Sequence, residues 1–312
     1  MILTVTLNAA LDITYRVPRL QPHTTHRITE VSERPGGKGL NVARVLAALG
    51  HRTVATGFVG GGPGDALRSL LAETGVTDAL VPVGGATRRT VAVVDAATGD
   101  TTQLNEAGPT VSPAEWDTFL GTYRELLADA RAVALCGSLP PGVPVDVYAR
   151  LTRAARGAGV PVLLDTSGEP LRRGLAARPD LAKPNADELA ALTGSTEPLR
   201  AARDARRRGA HAVAASLGPD GMLAVTADGT WQATPPRRIP GNPTGAGDSA
   251  VAGLLSGLVE DLPWPDRLTR AVALSAATVR APAAGEFDAA TYDELLRTVR
   301  VTAPPPEIGS SK

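Results

Sequence analysis

The sequence predicts an α/β fold in which a mostly parallel sheet is covered by helices on both faces. Short apolar runs alternate with segments of helical periodicity along most of the 312 residues. Runs that are apolar throughout are typical of strands buried on both faces, and βαβ units build such a sheet. The predicted strands are residues 1–7, 53–59, 132–135, 160–164 and 212–216.

The first predicted helix follows a Gly-rich turn and starts after residue 39. Val42, Val45, Leu46 and Leu49 recur at the spacing of one helix face, and Gly50 provides a stop signal. This segment is therefore the helix of a βαβ unit.

Two segments do not follow this alternation of apolar strands and helices. Residues 13–34 and 87–105 alternate apolar and polar positions, as half-exposed strands do. Val91 and Val93 show the alternation, and Gly99-Asp100 is a turn signal. The two segments predict either a small separate sheet over the ends of the parallel strands, where ligands bind in open α/β folds, or peripheral hairpins of the main domain.

Three further segments carry structural predictions. Residues 60–64 contain four glycines and one proline, which predicts a loop. The arginines in 200–208 are interpreted as a solvated helix face and receive no function. The end of the chain, 303–312, is rich in Pro, Gly and Ser and predicts a loose tail.

The composition favours a small-molecule partner. Lys plus Arg and Asp plus Glu number 32 each, so the net charge is zero and no general field attracts nucleic acid or a membrane surface. The apolar runs fall short of the ~20 residues that span a bilayer. The single cysteine, Cys136, excludes an intrachain disulfide, fits a cytoplasmic location and is interpreted as a small buried apolar residue on a strand.

The strongest local motif is a Gly-rich turn, 241–247, that leads into a helical stripe. Unpaired amides and the helix dipole at such a turn favour a phosphoryl group. Asp248 follows in the first helical turn, where it is either a proton acceptor for an attacking hydroxyl or only a capping carboxylate. The P-loop pattern is absent from the sequence.

A second Gly-rich turn, 35–39, also runs directly into a helix. Lys38 in the turn is either a point charge for a phosphate or a solvated loop lysine, and Asn41 is a candidate partner for sugar hydroxyls. Two such turns predict two anionic ligands.

In combination, these motifs resemble the PfkB carbohydrate kinases over nearly the whole chain. The matching elements, in family order, are Thr6-Leu7-Asn8 with Asp12; Gly36-Gly37-Lys38-Gly39-Leu40-Asn41-Val42-Ala43-Arg44; Gly137-Ser138-Leu139-Pro140-Pro141-Gly142; Lys183-Pro184-Asn185 with Glu188; Ser216-Leu217-Gly218-Pro219-Asp220-Gly221; and Gly245-Ala246-Gly247-Asp248.

The resemblance implies a ribokinase-like α/β fold, with a mostly parallel central sheet flanked by helices and a small β-sheet lid. It implies one kinase domain over 1–312, in which the lid is inserted from about 13–34 and 84–108. ATP and Mg²⁺ are the implied cofactors. Members of the family often dimerise through the lid, so a homodimer is also expected.

The branch that the sequence resembles most is that of 1-phosphofructokinase and tagatose-6-phosphate kinase, because Lys38 stands between glycines. The implied reaction is ATP-dependent phosphorylation of a ketohexose monophosphate to a bisphosphate. Tagatose 6-phosphate is slightly favoured. The alternatives are a ribokinase or nucleoside-type kinase on an unphosphorylated sugar, and a non-catalytic sugar-phosphate-binding protein.

The resemblance also implies site residues. Asp248 would be the catalytic base, and Gly245, Ala246 and Gly247 would stabilise the transferred phosphoryl group. The implied substrate-binding residues are Asp12, Gly36, Gly37, Lys38, Asn41, Arg88 and Ser138. The implied nucleotide-binding residues are Lys183, Asn185, Glu188, Ser216, Gly218, Gly221 and Gly247, and Glu188 would hold Mg²⁺ through water.

Some positions depart from the pattern of the branch and bear on the choice of sugar. Ala9 replaces the usual proline, His26 replaces an asparagine of the lid, and Thr90 ends the segment that carries Arg88. Gln103 stands where minor 6-phosphofructokinases carry an arginine, which argues against fructose 6-phosphate.

Overall fold

The computed structural model describes residues 1–28 and 30–303, so the tail predicted at 303–312 lies outside the described residues except for Ala303. In chain order the strands are β1 (Ile2–Thr6), β2 (Ala10–Val17), β3 (Val31–Gly36), β4 (Thr53–Val59), β5 (Thr77–Asp78), β6 (Val81–Pro82), β7 (Arg88–Asp95), β8 (Thr101–Asn105), β9 (Ala132–Cys136), β10 (Val162–Asp165), β11 (Leu181–Ala182), β12 (Ala212–Ser216), β13 (Met222–Val225), β14 (Thr230–Thr234) and β15 (Arg300–Thr302). The α-helices are α1 (Lys38–Ala48), α2 (Gly61–Ala72), α3 (Pro113–Leu127), α4 (Val147–Gly157), α5 (Gly168–Ala176), α6 (Ala186–Thr193), α7 (Pro198–Arg207), α8 (Ala246–Val259), α9 (Trp264–Thr278) and α10 (Ala289–Thr298).

The larger sheet has the strand order β15-β14-β13-β12-β11-β10-β9-β1-β4-β5, and β6 adds to β4. Pairing is parallel from β5 to β12 and antiparallel from β12 to β15. The predicted mostly parallel sheet is therefore confirmed. The strand predicted at 160–164 begins two residues later, after Pro161, which has no N–H to give to a ladder.

Each central strand sends alternate side chains into two separate cores. In β1, Leu3 and Val5 face the core that contains residues of α3 to α7, whereas Ile2 faces the core built from α1, α8 and α9. In β9, Val133 points to the first core and Cys136 to the second, where it is fully buried as predicted. Burial on both faces explains why these strands are apolar at successive positions.

A second sheet has the order β3-β2-β7-β8 and is called the small sheet below. It joins the two alternating segments of the sequence, because β2 pairs with β7 in parallel from Ala10 opposite Arg88 to Val17 opposite Asp95. A small separate sheet is therefore confirmed. One of its faces carries Asp12, Arg34 and other polar residues, and the opposite face carries apolar residues, among them Tyr15, Val31, Val91, Val93 and Leu104.

Two other segments gave different outcomes. The loop predicted at 60–64 is wrong, because α2 begins at Gly61. Pro63 lies in the first turn, where a missing N–H costs the helix nothing. The helix predicted for the Arg-rich segment is confirmed as α7, in which Asp204 pairs with Arg207 and Arg208.

Among the described residues, no helix is both long enough and apolar enough to cross a bilayer.

Candidate active site

Polar residues converge where the central parallel strands reach their carboxyl ends. Asn8 follows β1, Gly137 follows β9, Asp165 ends β10 and Lys183 follows β11. The amino ends of α1 and α8 face the same region, as the contact between Asn41 and Asp248 shows. Ligands of open α/β sheets bind at this edge.

The turn before α8 depends on glycine at position 245. Gly245 has φ +84, a left-handed value that favours glycine, and it is the N-cap residue of α8. A methyl group at this position would lie 2.6 Å from Cβ of Ala284. The backbone amides of this first turn are therefore held against the segment around Ala284, with the positive end of the α8 dipole behind them.

Asp248 lies in the first turn of α8, and its side chain is only 7% exposed. The Asn41 amide nitrogen donates a hydrogen bond of 2.9 Å to Asp248 Oδ2. Asn41, predicted to bind sugar hydroxyls, is thus a direct partner of the candidate base. This hydrogen bond fixes the orientation of the carboxylate.

Burial raises the pKa of Asp248 to about 6, and the negative charge of Asp165 adds to the increase. The Asn41 hydrogen bond and the charges of Lys38 and Lys183 oppose it. At neutral pH the carboxylate is mostly ionised, while its proton affinity exceeds that of an ordinary aspartate. Both properties suit a general base.

Asp165 lies between two lysines at the bottom of the site. Its Oδ2 is 3.3 Å from Lys38 Nζ, and its Oδ1 is 3.3 Å from Lys183 Nζ. The Asp165 side chain is 1% exposed, and both of its oxygens are buried without a hydrogen bond. Although burial opposes it, the charges of Asp165, Asp248 and Glu188 raise the pKa of Lys38. Two fixed cations therefore stand close to Asp248.

A cavity of about 200 Å³ opens beside this cluster and contains several predicted sugar-phosphate residues. Arg88 Nε donates to the backbone oxygen of Asn8 at 3.1 Å, and the Asn8 side-chain amide donates to Ser138 Oγ at 3.2 Å. Asn8 thus orients both groups. The lining residues are Thr6, Asn8, Gly37, Lys38, Arg88, Cys136, Gly137, Ser138, Thr166 and Ser167.

Asp12 is on the polar face of the small sheet, where it lines a cavity of about 280 Å³ together with Arg34, Thr90 and Gln103. A methyl group at position 36 would lie 2.0 Å from Asp12 Cγ, so Gly36 leaves space for this carboxylate. Burial raises the pKa of Asp12 to about 6, although the charge of Arg88 opposes the shift. Asp12 is placed to accept hydrogen bonds from hydroxyl groups of a ligand.

A larger cavity, of about 550 Å³, lies on the other side of the α8 turn. Its size and its mostly apolar wall suit a ligand with an aromatic base. The lining residues that were predicted to bind nucleotide are Asn185, Ser216, Gly218, Gly221 and Gly247, and apolar side chains such as Met222, Ile239, Val272, Ala276 and Val279 complete the wall.

The sequence profile of the pfkB family of carbohydrate kinases matches residues 5–290. The chain belongs to this family. The kinase is therefore a phosphotransferase whose acceptor is an alcohol group, and the family predicted from the ordered motifs is confirmed.

Solved structures agree with this assignment over nearly the whole kinase. Phosphofructokinase-2 from Escherichia coli in complex with fructose-6-phosphate is 31% identical, with a TM-score of 0.86 and coverage of 95% of this chain and 98% of that chain. A possible 1-phosphofructokinase from Thermotoga maritima is 27% identical, with a TM-score of 0.89 and coverage of 98% and 100%. Arabidopsis thaliana ribokinase complexed with ribose and ATP is 25% identical, with a TM-score of 0.72 and coverage of 95% and 98%. The ribokinase-like fold is confirmed.

Lys183 and Glu188 lie outside the lining of the kinase's larger cavity. Lys183 is buried on Asp165 instead. Glu188 forms a capping box with Asn185, since each side chain accepts a hydrogen bond from the backbone N–H of the other residue, at 2.8 and 2.9 Å. The carboxylate of Glu188 is an oxygen donor of the type that Mg²⁺ prefers, so this residue fits the predicted water-mediated role. That role stays a prediction.

Sequence reasoning assigned no role to several residues that the structure brings into the site. Asp165 directly follows a run of apolar residues, and an acid at the carboxyl end of a buried strand is a signal that could have identified it. Arg44 was part of the first motif without an assigned contact. No sequence signal marked Glu286, which contacts Arg44 from the far end of the chain.

Proposed function

We propose that the kinase transfers the γ-phosphoryl group of ATP to a hydroxyl group of a ketohexose monophosphate, giving a bisphosphate. One observation carries this proposal. The buried carboxylate of Asp248 stands in the first turn of α8, whose residues Ala246 and Gly247 line the larger, apolar cavity, and a separate cavity is lined by Lys38 and Arg88. The complex of phosphofructokinase-2 from Escherichia coli with fructose-6-phosphate supports the substrate class.

The residues divide the chemistry among them. Asp248 accepts the proton of the attacking hydroxyl as the new O–P bond forms and the bond from the γ-phosphorus to the β–γ bridging oxygen breaks, which releases ADP. The amides of Gly245, Ala246 and Gly247 neutralise charge on the transferred group. Lys183, fixed by Asp165, adds positive charge on the same path.

ATP is proposed to occupy the larger cavity, with its phosphates directed to the α8 turn. The volume of about 550 Å³ and the apolar wall support an adenine there, and Gly218 and Gly221 line the same cavity. Mg²⁺, held through Glu188 and water, would supply further neutralisation of the phosphate charge when bound. A reaction between ATP and a sugar phosphate also supports a cytoplasmic location.

The phosphate already present on the sugar is proposed to contact Lys38, Arg88 and Ser138. These groups surround one cavity of about 200 Å³, and Asn8 orients two of them. With tagatose 6-phosphate the C1 hydroxyl would attack, and with fructose 1-phosphate the C6 hydroxyl would. Gln103 lines the neighbouring cavity, where the longer side chain of an arginine would add a charge for the phosphate of fructose 6-phosphate.

A coupled ADP-release assay over tagatose 6-phosphate, fructose 1-phosphate, fructose 6-phosphate and free sugars tests the proposal. We expect turnover with a ketohexose monophosphate to exceed turnover with any free sugar. Faster turnover with free ribose or adenosine would replace the proposed substrate class. Binding of a sugar phosphate without ADP release in the presence of Mg·ATP would favour a non-catalytic binding protein.

A homodimer through the small sheet is proposed as the assembly. Val31 on β3 and Leu104 on β8 are 54% and 60% exposed, and they lie on the apolar face with Tyr15, Val91 and Val93. Exposed apolar sheet faces mark interaction surfaces. Phosphofructokinase-2 from Escherichia coli has a tetrameric inhibited form, which supports self-association in the family.

A further inference from the structure

Glu286 is shared by two arginines that come from different parts of the kinase. Its Oε1 lies 2.8 Å from NH2 of Arg44 on α1 and 3.1 Å from Nε of Arg34 on β3. The Arg44 side chain is 8% exposed, and the Glu286 side chain is 32% exposed. A desolvated arginine holds its geometry strictly, because each lost hydrogen bond leaves a buried charge without compensation.

The segment that carries Glu286 packs directly against the proposed transfer site. Arg44 NH1 donates to the backbone oxygen of Ala284 at 2.9 Å. Ala284 is in turn the residue that a methyl group at Gly245 would strike, at 2.6 Å. Arg44 therefore supports the glycine turn through one intervening residue.

The same segment also borders the partner of Asp248. Gly285 has φ +76, and a methyl group at this position would lie 2.7 Å from Arg44 NH1 and 3.1 Å from Asn41 Oδ1. Asn41 donates the hydrogen bond that orients Asp248. A shift of residues 284–286 would thus disturb the glycine turn and the base together.

On its other side, Glu286 reaches the small sheet. Arg34 is opposite Asp12 in the sheet register, and both residues line the cavity of about 280 Å³, to whose wall Ala284 also contributes. Arg34 Nε is close enough to Glu286 for an ion pair, yet it is buried without a hydrogen bond. The contact between the small sheet and Glu286 is therefore looser than the contact between Glu286 and Arg44.

We infer that Arg44 and Glu286 are positioning residues for phosphoryl transfer, and that the Arg34–Glu286 ion pair couples the small sheet to the glycine turn and to Asp248. The inference rests on the proposed roles of Asp248 and Gly245–Gly247. A sugar phosphate bound against the polar face of the small sheet holds Arg34 on Glu286, 3.1 Å away, and so secures the support of the transfer site. Without the sugar, this looser ion pair opens more readily, the support of the transfer site is lost more often, and ATP is spared hydrolysis by water.

Three variants test the coupling: Glu286→Gln, Arg34→Gln and Arg44→Lys. Each is assayed for kcat and KM with the sugar phosphate and for ADP release without sugar. We expect each variant to lower kcat by about tenfold with a smaller change in the KM for ATP. We also expect the rate of ADP release without sugar to stay at or below the wild-type rate in Glu286→Gln and Arg34→Gln, because the support of the transfer site is then incomplete whether or not sugar is bound.

Asp204→Asn is the matched control, because Asp204 is also shared by two arginines but lies on α7. It should leave kcat, KM and the sugar-independent ADP release at wild-type values. The double variant Arg34→Gln/Glu286→Gln should be no worse than Glu286→Gln alone, since both changes remove one coupling.

If Arg34, Arg44 and Glu286 only stabilised the fold, the variants would change stability and not kinetics. If Glu286→Gln and Arg34→Gln melted at lower temperature but kept the wild-type kcat, KM and sugar-independent ADP release, the inference would be overturned. Arg34→Gln keeps the test decisive if Glu286→Gln does not fold, because the Arg34 side chain is 37% exposed. Failure of the proposed function is distinguishable, because the wild-type kinase would then show no turnover with any ketohexose phosphate.

Discussion

At the scale of single residues, the proposed chemistry of this kinase depends on how a few charges are buried together. Asp248 and Asp165 are both almost inaccessible to water, and two lysines contact Asp165. Charges that are fixed before the substrates arrive need no reorganisation during the reaction. Two experiments distinguish the proposed proton transfer to Asp248 from the electrostatic effect of Asp165.

Asp248→Asn should lower kcat by about 10²–10⁴-fold while the affinity for ATP stays close to that of the wild type. The amide keeps the shape of the side chain and its contact with Asn41, but it cannot take a proton. Steady-state kinetics with the preferred sugar phosphate and a separate ATP-binding titration measure the two effects. Near-wild-type turnover would remove Asp248 from the role of base.

Asp165→Asn should move the acid limb of the pH profile of kcat/KM to lower pH. The ionised form of Asp248 is the proposed base, so activity should be lost as the pH falls through its pKa of about 6. Asp165 contributes to raising that pKa, and its removal lowers the pH at which Asp248 becomes protonated.

The limb also contains a contribution from Asp12, whose pKa is about 6 as well, so the shift in Asp165→Asn should be partial. Asp266→Asn, at an exposed acid in the first turn of α9, is the control and should keep the wild-type profile. A limb that stays in place, or that moves to higher pH, would contradict the electrostatic role of Asp165.

At the scale of secondary-structure elements, glycines set how closely loops approach the helix starts. Gly245 combines a positive φ with a contact to Ala284, whereas Gly194, the C-cap of α6, has φ +76 and open space around it. The two positions therefore separate the cost of the backbone conformation from the cost of the contact.

Gly245→Ala and Gly194→Ala should each reduce stability by about 1–3 kcal/mol, because both place an alanine in the left-handed region. Only Gly245→Ala should also lower kcat, by tenfold or more, since its methyl group would displace the segment around Ala284 or the turn itself. Thermal unfolding and ADP release measure the two effects. An equal loss of kcat in Gly194→Ala would contradict this explanation.

The strands and the first helix were predictable because burial on both faces leaves a plain apolar pattern. The start of α2 was not, because Gly61 and Pro63 also occur in loops, and only the contacts with the following segment decide between the two structures. In the site, motifs identified residues at the glycine turns. The roles of Asp165 and Glu286 depend on neighbours far away in the sequence, which local patterns do not reveal.

At the scale of the whole molecule, the small sheet has two chemically different faces, for which two different roles are proposed. Its polar face lines the cavity next to Asp12, and its apolar face contains the exposed side chains of Val31 and Leu104. The proposed dimer would cover the second face and leave the first one to the substrate.

Leu104→Lys should convert a dimer to a monomer, because a charge placed on the apolar contact face must be desolvated. Sedimentation equilibrium over a range of concentrations measures the change. Val145→Lys is the control, since Val145 is 38% exposed at another place on the surface. A wild-type kinase that stays monomeric at every concentration would contradict the proposed assembly.

The position of β1 at the centre of the larger sheet has a consequence during synthesis. Its neighbours are β4 and β9, and Ile2 pairs with both Thr53 and Ala132. After β1 has left the ribosome, one of its edges therefore stays unpaired until β9 has followed. Contacts so distant along the chain form slowly, and an apolar strand that waits for its partner is prone to aggregate. Nascent chains of this kinase should therefore depend on chaperones most strongly before β9 emerges.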